Sequence, residues 1–397
     1  MRAALVGPVH PYRGGIAHYT TLLHRALVTA GYAVQLVSFK RLYPGWLYPG
    51  ESDKDPSLHG LIVEGAEYSI DTLNPLSWLR AFCRIAAAHP DVVILPWWTA
   101  FLAPVWGTIG FLNRLCLRVP VVFICHNVLP HEAKLWDRVL AHIALSGGSH
   151  FITQSDAEMT ALLALRPRAS VSVVPHPVYD MFAQNLVSKG EARRELGFPL
   201  GSPLLLFFGI VRPYKGLEDL LDALPQVLCE LPTLRLIVAG EFWSDEVTYR
   251  ARISALGLDE AVVIHNRYIP NELVPLYFSA ADALVAPYRS ATGSGVVQLA
   301  LGHQCPVITT ALEALQTVVT HGVNGFVVPP CDPAALASAV LRFYSEHWEA
   351  SMRDAARASL EHSGDSWQTL VNVIGSQAGA RLGTGFSGGG SGDSDGT

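Results

Sequence analysis

The chain has 397 residues, half of them hydrophobic and only 16% charged, with a net charge of −6. That supplies apolar material for two or three separate cores, and the acidic balance argues against a nucleic-acid backbone as the main partner, which needs a basic face. The six cysteines (83, 116, 125, 229, 305 and 331) are scattered with no CxxC pair, which argues against a zinc site or disulfide framework and points to a reducing cytoplasm.

Ala3–Val6 reads as the first strand, and the opening Met1–Pro8 is too short an apolar run for a signal peptide. An amphipathic helix over Ala17–Ala30 follows and stops at Gly31. Between them lies Pro11-Tyr12-Arg13-Gly14-Gly15-Ile16-Ala17. A glycine pair at a strand-to-helix turn permits positive φ and close approach of a ligand. The GxGxxG fingerprint is absent, which disfavours nicotinamide or flavin dinucleotides. Val34–Ser38 and Leu61–Glu64 read as strands, Leu76–Ala88 as a helix, Val92–Leu95 and Val119–Cys125 as strands, and His150–Thr153 and Ser172–Val174 continue the series. This alternation predicts a parallel, doubly wound sheet. Val93–Leu112 is uncharged and about as long as a bilayer span, but carries Pro96, Pro104, two glycines and three tryptophans. Buried or surface-docking structure is the expectation; composition alone leaves a membrane span open. His126 follows a buried strand, at the edge where such sheets bind ligands, whereas a packed core histidine is the competing reading. His131 and Glu132 lie further along the same loop.

The pattern restarts after Pro177. A polar linker is expected over 181–202, then strands at Leu204–Phe208, Leu234–Ala239, Val262–His265, Ala283–Ala286 and Pro306–Thr309, with a helix over Glu218–Glu230. Gly209-Ile210-Val211-Arg212-Pro213-Tyr214-Lys215-Gly216 follows the first of these strands and opens a helix. Arg212 and Lys215 there suit a diphosphate, one as a fork of donors and the other as a mobile charge; two solvated surface cations are the bland alternative. Ser290-Ala291-Thr292-Gly293-Ser294-Gly295 precedes a second helix. Its small residues would let backbone N–H groups and the helix dipole meet an anion. No Walker A, nucleophile elbow or HExxH motif occurs. The Gly/Ser-rich residues 379–397 are predicted to be a disordered tail.

Together these pieces resemble the retaining glycosyltransferases of family 4 over residues 1–375. The resemblance is carried by Gly14–Ala17, the step from strand to His126, Gly209–Gly216, Tyr268–Leu273, Phe278–Asp282, Pro287–Gln298, Pro306–Ile308 and His321–Pro329. It implies a GT-B fold: two facing Rossmann-like, doubly wound α/β domains with a cleft between them. Residues 1–180 would form the acceptor-side domain and 203–362 the nucleotide-sugar domain. A helix over 363–378, with Trp367, would cross back to the first domain. The resemblance implies that Arg212 and Lys215 hold the donor diphosphate as leaving group and that His126 contacts the transferred sugar. Gly14, Gly15, Gly209, Ser294, Gly295 and Gln298 would surround the diphosphate and sugar. Arg267, Tyr268 and Ile269 would line the nucleobase pocket. No metal or cofactor is implied; the nucleotide-diphosphate sugar is a co-substrate. The acceptor would be a carbohydrate or a lipid-linked molecule, as in polysaccharide biosynthesis, met by the loops Lys40–Asp55 and Asn127–Trp136. The protein would be cytoplasmic, with peripheral membrane contact through the segment Pro96-Trp97-Trp98 to Trp106-Gly107 and Phe111 if that is exposed, burial against the domain's own sheet being the stronger expectation.

The chain departs from the family at the E-x7-E element. Ser290 or Ala291 and Gln298 or Leu299 stand where the two glutamates are expected, and Glu313-Ala314-Leu315-Gln316-Thr317 has lost the usual glycine-rich signature. An active hexosyltransferase is still what the resemblance implies as the leading expectation. A decayed GT-B module that binds nucleotide without turnover is the alternative, and another GT-B enzyme such as an epimerase or phosphorylase is the third.

Overall fold

The computed structural model describes residues 1–58, 60–129, 134–177, 179, 187–243, 245–361 and 364–379. The predicted tail, apart from Gly379, and His131 and Glu132 lie outside these residues. Short runs of Val, Ile, Leu and Phe form strands because they are covered on both faces by helices, which is how purely parallel sheets are built. The first half comprises β1 (Arg2–Val6), α1 (Gly15–Thr29), β2 (Ala33–Arg41), β3 (Glu67–Asp71), α2 (Pro75–Ala87), β4 (Val92–Trp97), α3 (Ala103–Leu112), β5 (Val121–Cys125), α4 (Leu135–Leu145), β6 (His150–Thr153), α5 (Asp156–Leu165) and β7 (Val171–Val173). Its strands make one parallel sheet in the order β3-β2-β1-β4-β5-β6-β7. The expected strand at Leu61–Glu64 is irregular chain, and the third strand lies at Glu67–Asp71 instead. β3 is an edge strand that buries little besides Ile70, so it lacks the apolar run that marks the central strands.

The second half comprises α6 (Lys189–Leu196), β8 (Leu204–Phe208), α7 (Leu217–Glu230), β9 (Arg235–Ala239), α8 (Glu246–Ala255), β10 (Val262–His265), α9 (Val274–Ala280), β11 (Ala283–Ala286), α10 (Gly295–Gly302), β12 (Val307–Thr310), α11 (Glu313–Gln316), β13 (Gly325–Val328), α12 (Pro333–Ser345), α13 (Glu349–Glu361) and α14 (Gly364–Gly379). The sheet order is β10-β9-β8-β11-β12-β13, again parallel. Each fully buried aliphatic side chain in these sheets contributes about 1.5–3 kcal/mol relative to exposure.

The segment 187–202 is not a free linker. Ala192 packs in the second domain's core, and the buried Arg193 pairs with the buried Asp282 at 2.8 Å. Arg193 also donates to the carbonyls of Ala280 and Ser202, and Asp282 accepts from Leu204 N and Tyr344 Oη. The second domain therefore begins at α6. Its high charge gave that helix a linker-like composition, while the one guanidinium that anchors it is inside. At the other end, α14 returns to the first domain, where Trp367 and Leu370 join the core beneath α1. Trp97 and Trp106 are buried in the first core and Trp98 donates to Tyr43 Oη, so the tryptophans of the uncharged segment face inward. Ala100–Leu117 is helical, and long and apolar enough to cross a membrane by length and composition; 44% of it is buried inside the protein.

Candidate functional site

In each sheet the strand order reverses direction at one point, β1/β4 in the first and β8/β11 in the second. Open α/β sheets bind ligands at the carboxyl ends of the strands beside that switch point. The two polar loops of the second domain leave from those strands: Gly209–Gly216 from β8 and Pro287–Ser294 from β11. They touch. A Cβ added to Gly209 would lie 3.2 Å from Lys215 Nζ and 3.0 Å from Val296 Cγ2, so the ammonium and the first turn of α10 flank this glycine. At Gly216 the chain passes so close to Pro287 that a Cβ would lie 2.0 Å from its carbonyl oxygen, and φ is +69°.

Lys215 ends a short turn (Pro213–Lys215) and is only 7% exposed. Burial, reinforced by the neighbouring Arg212, pulls its ammonium down to about 7. No carboxylate offsets this among the described residues. Arg212 is exposed at the mouth, its guanidinium 5.5 Å from the Trp243 ring and 5.8 Å from that of Tyr214. Ser294 caps α10 by accepting from Val297 N, and its hydroxyl donates to Tyr288 Oη. Gly295 opens α10, and a Cβ there would be in ordinary contact with the Tyr179 ring at 3.6 Å.

The first domain faces this pair of loops with His126, at the end of β5. Its backbone N–H donates to Trp97 O, and its carbonyl accepts from Thr292 Oγ1 of the second domain. The ring is buried, edge-on to Tyr19 at 4.4 Å. Gln154 Nε2 donates to His126 Nδ1 at 3.1 Å, which places the ring proton on Nε2; that atom has no partner. Burial, with His176 nearby, lowers the His126 pKa to about 3, so the ring is neutral near pH 7. His176 is lowered to about 4 by burial, opposed by its bond to Pro177 O.

Gly14 (φ +99°) and Gly15 open α1, and a Cβ on either would point into open space, while the adjacent Arg13 crosses to the second domain and pairs with Glu241. Glu241 also accepts from Glu51 N and Trp243 Nε1. Arg13 lies 4.9 Å from the Tyr268 ring, and Asp55 accepts from Asn271 Nδ2, so the loop around residues 48–58 is laid against the second domain.

The site residues expected from the sequence divide into two groups. Arg212, Lys215 and Gly209 lie together at the end of β8, His126 meets the second domain through Thr292, Gly295 lies beside Tyr179, and Tyr268 bonds the backbone of Gly14. Ile269 has its side chain in the hydrophobic core, and Arg267 is exposed. Gln298 is buried; its amide donates to His176 O across the domain boundary, and its Oε1 has no partner. Glu313, read as a lost signature, accepts from Asp156 N and Ala157 N at the start of α5. Gln154, Tyr19, Arg13 and Glu241 were missed. The signal for Gln154 was available: it follows β6 as His126 follows β5. Among the described residues no group of three or more His, Cys, Asp or Glu is placed to hold a metal ion.

Residues 14–177 match the Glycosyl transferase 4-like domain and residues 202–346 match Glycosyl transferases group 1. The chain is 26% identical over 284 residues to D-inositol 3-phosphate glycosyltransferase of Geodermatophilus obscurus, covering 66% of this chain and 61% of that protein. It is 30% identical to the Actinosynnema mirum protein of the same name, covering 63% of each, and 28% identical to that of Xylanimonas cellulosilytica, covering 82% of each. The match thus spans less than two thirds of the Geodermatophilus and Actinosynnema proteins. Among solved structures, Anabaena HepE in complex with UDP and glucose superposes with a TM-score of 0.71 at 20% identity, over 97% of this chain and 100% of that one. A glycosyltransferase from Rickettsia africae gives 0.71 at 16% identity, over 95% and 98%. These likenesses establish the GT-B fold.

Proposed function

The chain belongs to the group 1 glycosyltransferases, and from this we propose that it transfers a sugar from a nucleoside-diphosphate sugar to a carbohydrate or lipid-linked acceptor, with retention at the anomeric carbon. The observation that carries this is the buried Lys215, which with Val296 of the first turn of α10 flanks Gly209 and has no carboxylate among the causes of its lowered pKa. As the bond from the anomeric carbon to the diphosphate oxygen breaks, negative charge builds on the leaving phosphate. Arg212, Lys215 and the N–H groups at the start of α10 are fixed in advance where that charge would develop, and such donors act most strongly in a site shielded from water. Lys215, whose pKa burial lowers to about 7, would be held in its charged form as the diphosphate enters.

His126 supports the sugar. A neutral ring with its proton on Nε2 donates a hydrogen bond without placing a cation beside an oxocarbenium-like centre. Gly14 and Gly15 would let the chain approach the donor closely, and Tyr268, with the backbone at Arg267 and Ile269, would border the base. Gln298 Oε1 would accept from a donor hydroxyl where the family has a glutamate. UDP, held by HepE, is the first nucleotide to try. Six unpaired cysteines fit a reducing compartment, and we place the protein in the cytoplasm.

The second reading, nucleotide binding without turnover, is favoured by one observation: the side chain of Gln298 is tied to His176 O. UDP release from UDP-sugars, with and without an acceptor panel that includes D-inositol 3-phosphate, separates the two. Release that depends on acceptor and is lost in Lys215→Ala supports transfer. Binding of UDP with no release from any sugar in the panel would establish the second reading instead.

A further inference from the structure

The helices on the outer face of the first domain carry large apolar side chains that none of the described residues covers. Leu76 of α2, Phe111 of α3, Leu115 in the turn after it, and Leu135, Trp136 and Ile143 of α4 are all exposed; Phe111 is 61% and Trp136 62% accessible. On α4, residues 136, 139, 140 and 143 follow helical spacing, so they form one stripe. The stripe is continuous with an apolar groove lined by Trp78, Leu79, Phe111, Leu112, Leu140 and Ile143. Gly110 and Gly147 bring α3 and α4 close enough that a Cβ on Gly110 would meet Gly147 Cα at 2.9 Å. The three helices thus present one surface, of the kind a soluble monomer seldom leaves bare.

The charges on these segments are mostly positive. Arg80, Arg84, Arg114, Arg118, Lys134 and Arg138 are exposed on them, and Asp137 is the one acidic residue on them among the described residues, in a chain whose net charge is −6. Asp137 accepts from Lys134 N at the start of α4. Apolar side chains rimmed by Arg and Lys on short helices lying along a surface are what an anionic bilayer interface binds.

We infer that this face of α2, α3 and α4 docks on an anionic lipid surface. Phe111 and Trp136 enter the headgroup layer, and Arg114, Lys134 and Arg138 pair with lipid phosphates. Of the contact expected from the sequence, Phe111 is exposed and belongs to this face, whereas Trp97 and Trp106 are internal. In a parallel α/β domain the first turn of α4 stands at the carboxyl edge of the sheet, the edge that carries His126. An acceptor anchored in the bilayer would therefore arrive at the cleft. That last clause names the acceptor class and rests on the proposed transfer; the docking does not.

The test is co-sedimentation of the full chain with vesicles of phosphatidylcholine alone or mixed with phosphatidylglycerol, with no nucleotide sugar present, so its failure leaves the transfer reading untouched. The expected result is binding to the mixed vesicles, weakened about tenfold or more by high salt, by Arg114→Glu/Arg138→Glu and by Phe111→Ser/Trp136→Ser, with unchanged circular dichroism. Equal amounts of pelleted protein with and without vesicles would overturn it. So would variants that bind like the parent. A dimer in light scattering that Phe111→Ser/Trp136→Ser abolishes, with vesicles having no effect, would assign the face to a second copy of the chain.

Discussion

Gln154 donates its side-chain amide to Nδ1 of His126 across 3.1 Å, and the hydroxyl of Tyr19 bonds the same Gln154 side chain. The contact decides which nitrogen of a neutral, buried histidine carries the proton. If the Nε2–H is what meets the sugar, Gln154→Glu, which puts an acceptor opposite Nδ1, should move the proton to Nδ1. The expected result is a change of the His126 15N tautomer pattern and a fall in kcat of about 10²-fold, with melting temperature nearly unchanged. An altered tautomer with unaltered kcat would remove His126 from the reaction.

Lys215 supplies a pH dependence whose sign is fixed. Its pKa in the free protein is about 7 and its ordinary value 10.5. A bound diphosphate restores the charge, so binding at pH 8 takes up close to one proton and affinity falls as pH rises through 7 and above. Calorimetry in buffers of different ionisation enthalpy measures that uptake, and Lys215→Arg should abolish it. His126, at about 3, contributes no limb to the activity profile between pH 5 and 8.

The first domain and α6 were legible to different degrees for physical reasons. β8 and the Gly209–Gly216 loop stood out because a fully buried strand ends abruptly in Arg, Lys and Gly. β3 was misplaced because an edge strand needs only one buried side chain. α6 was merged into the linker because its charges hide a single internal guanidinium. Arg13 and Glu241 act across a gap of 228 residues, and no local spacing marks such a pair, whereas Gln154 is marked by its place after β6.

Arg193 gives a stability test of the corrected boundary. Arg193→Ala leaves Asp282 buried beside the partly exposed Lys189 and should cost about 3–5 kcal/mol in the second domain's unfolding, read by denaturant titration. A cost below about 1 kcal/mol, the range of surface pairs, would return 187–202 to the status of a linker.

The Arg13–Glu241 pair joins the two domains. Glu241→Ala leaves Arg13 without its carboxylate and should favour an open cleft. Small-angle scattering of the free protein should then give a larger radius of gyration, with UDP restoring the parental value. An unchanged radius would show that the loop contacts at Asp55 and Asn271 hold the domains by themselves.

The central claim is that Arg212, Lys215 and the start of α10 form a donor-diphosphate site, and its most direct test is a thermal-shift panel of nucleoside diphosphates and their sugars. The expected result is stabilisation by diphosphates of one base, none by the corresponding nucleoside, and loss of the shift in Arg212→Ala/Lys215→Ala. Stabilisation that survives the double substitution, or none by any nucleotide in the panel, would contradict it.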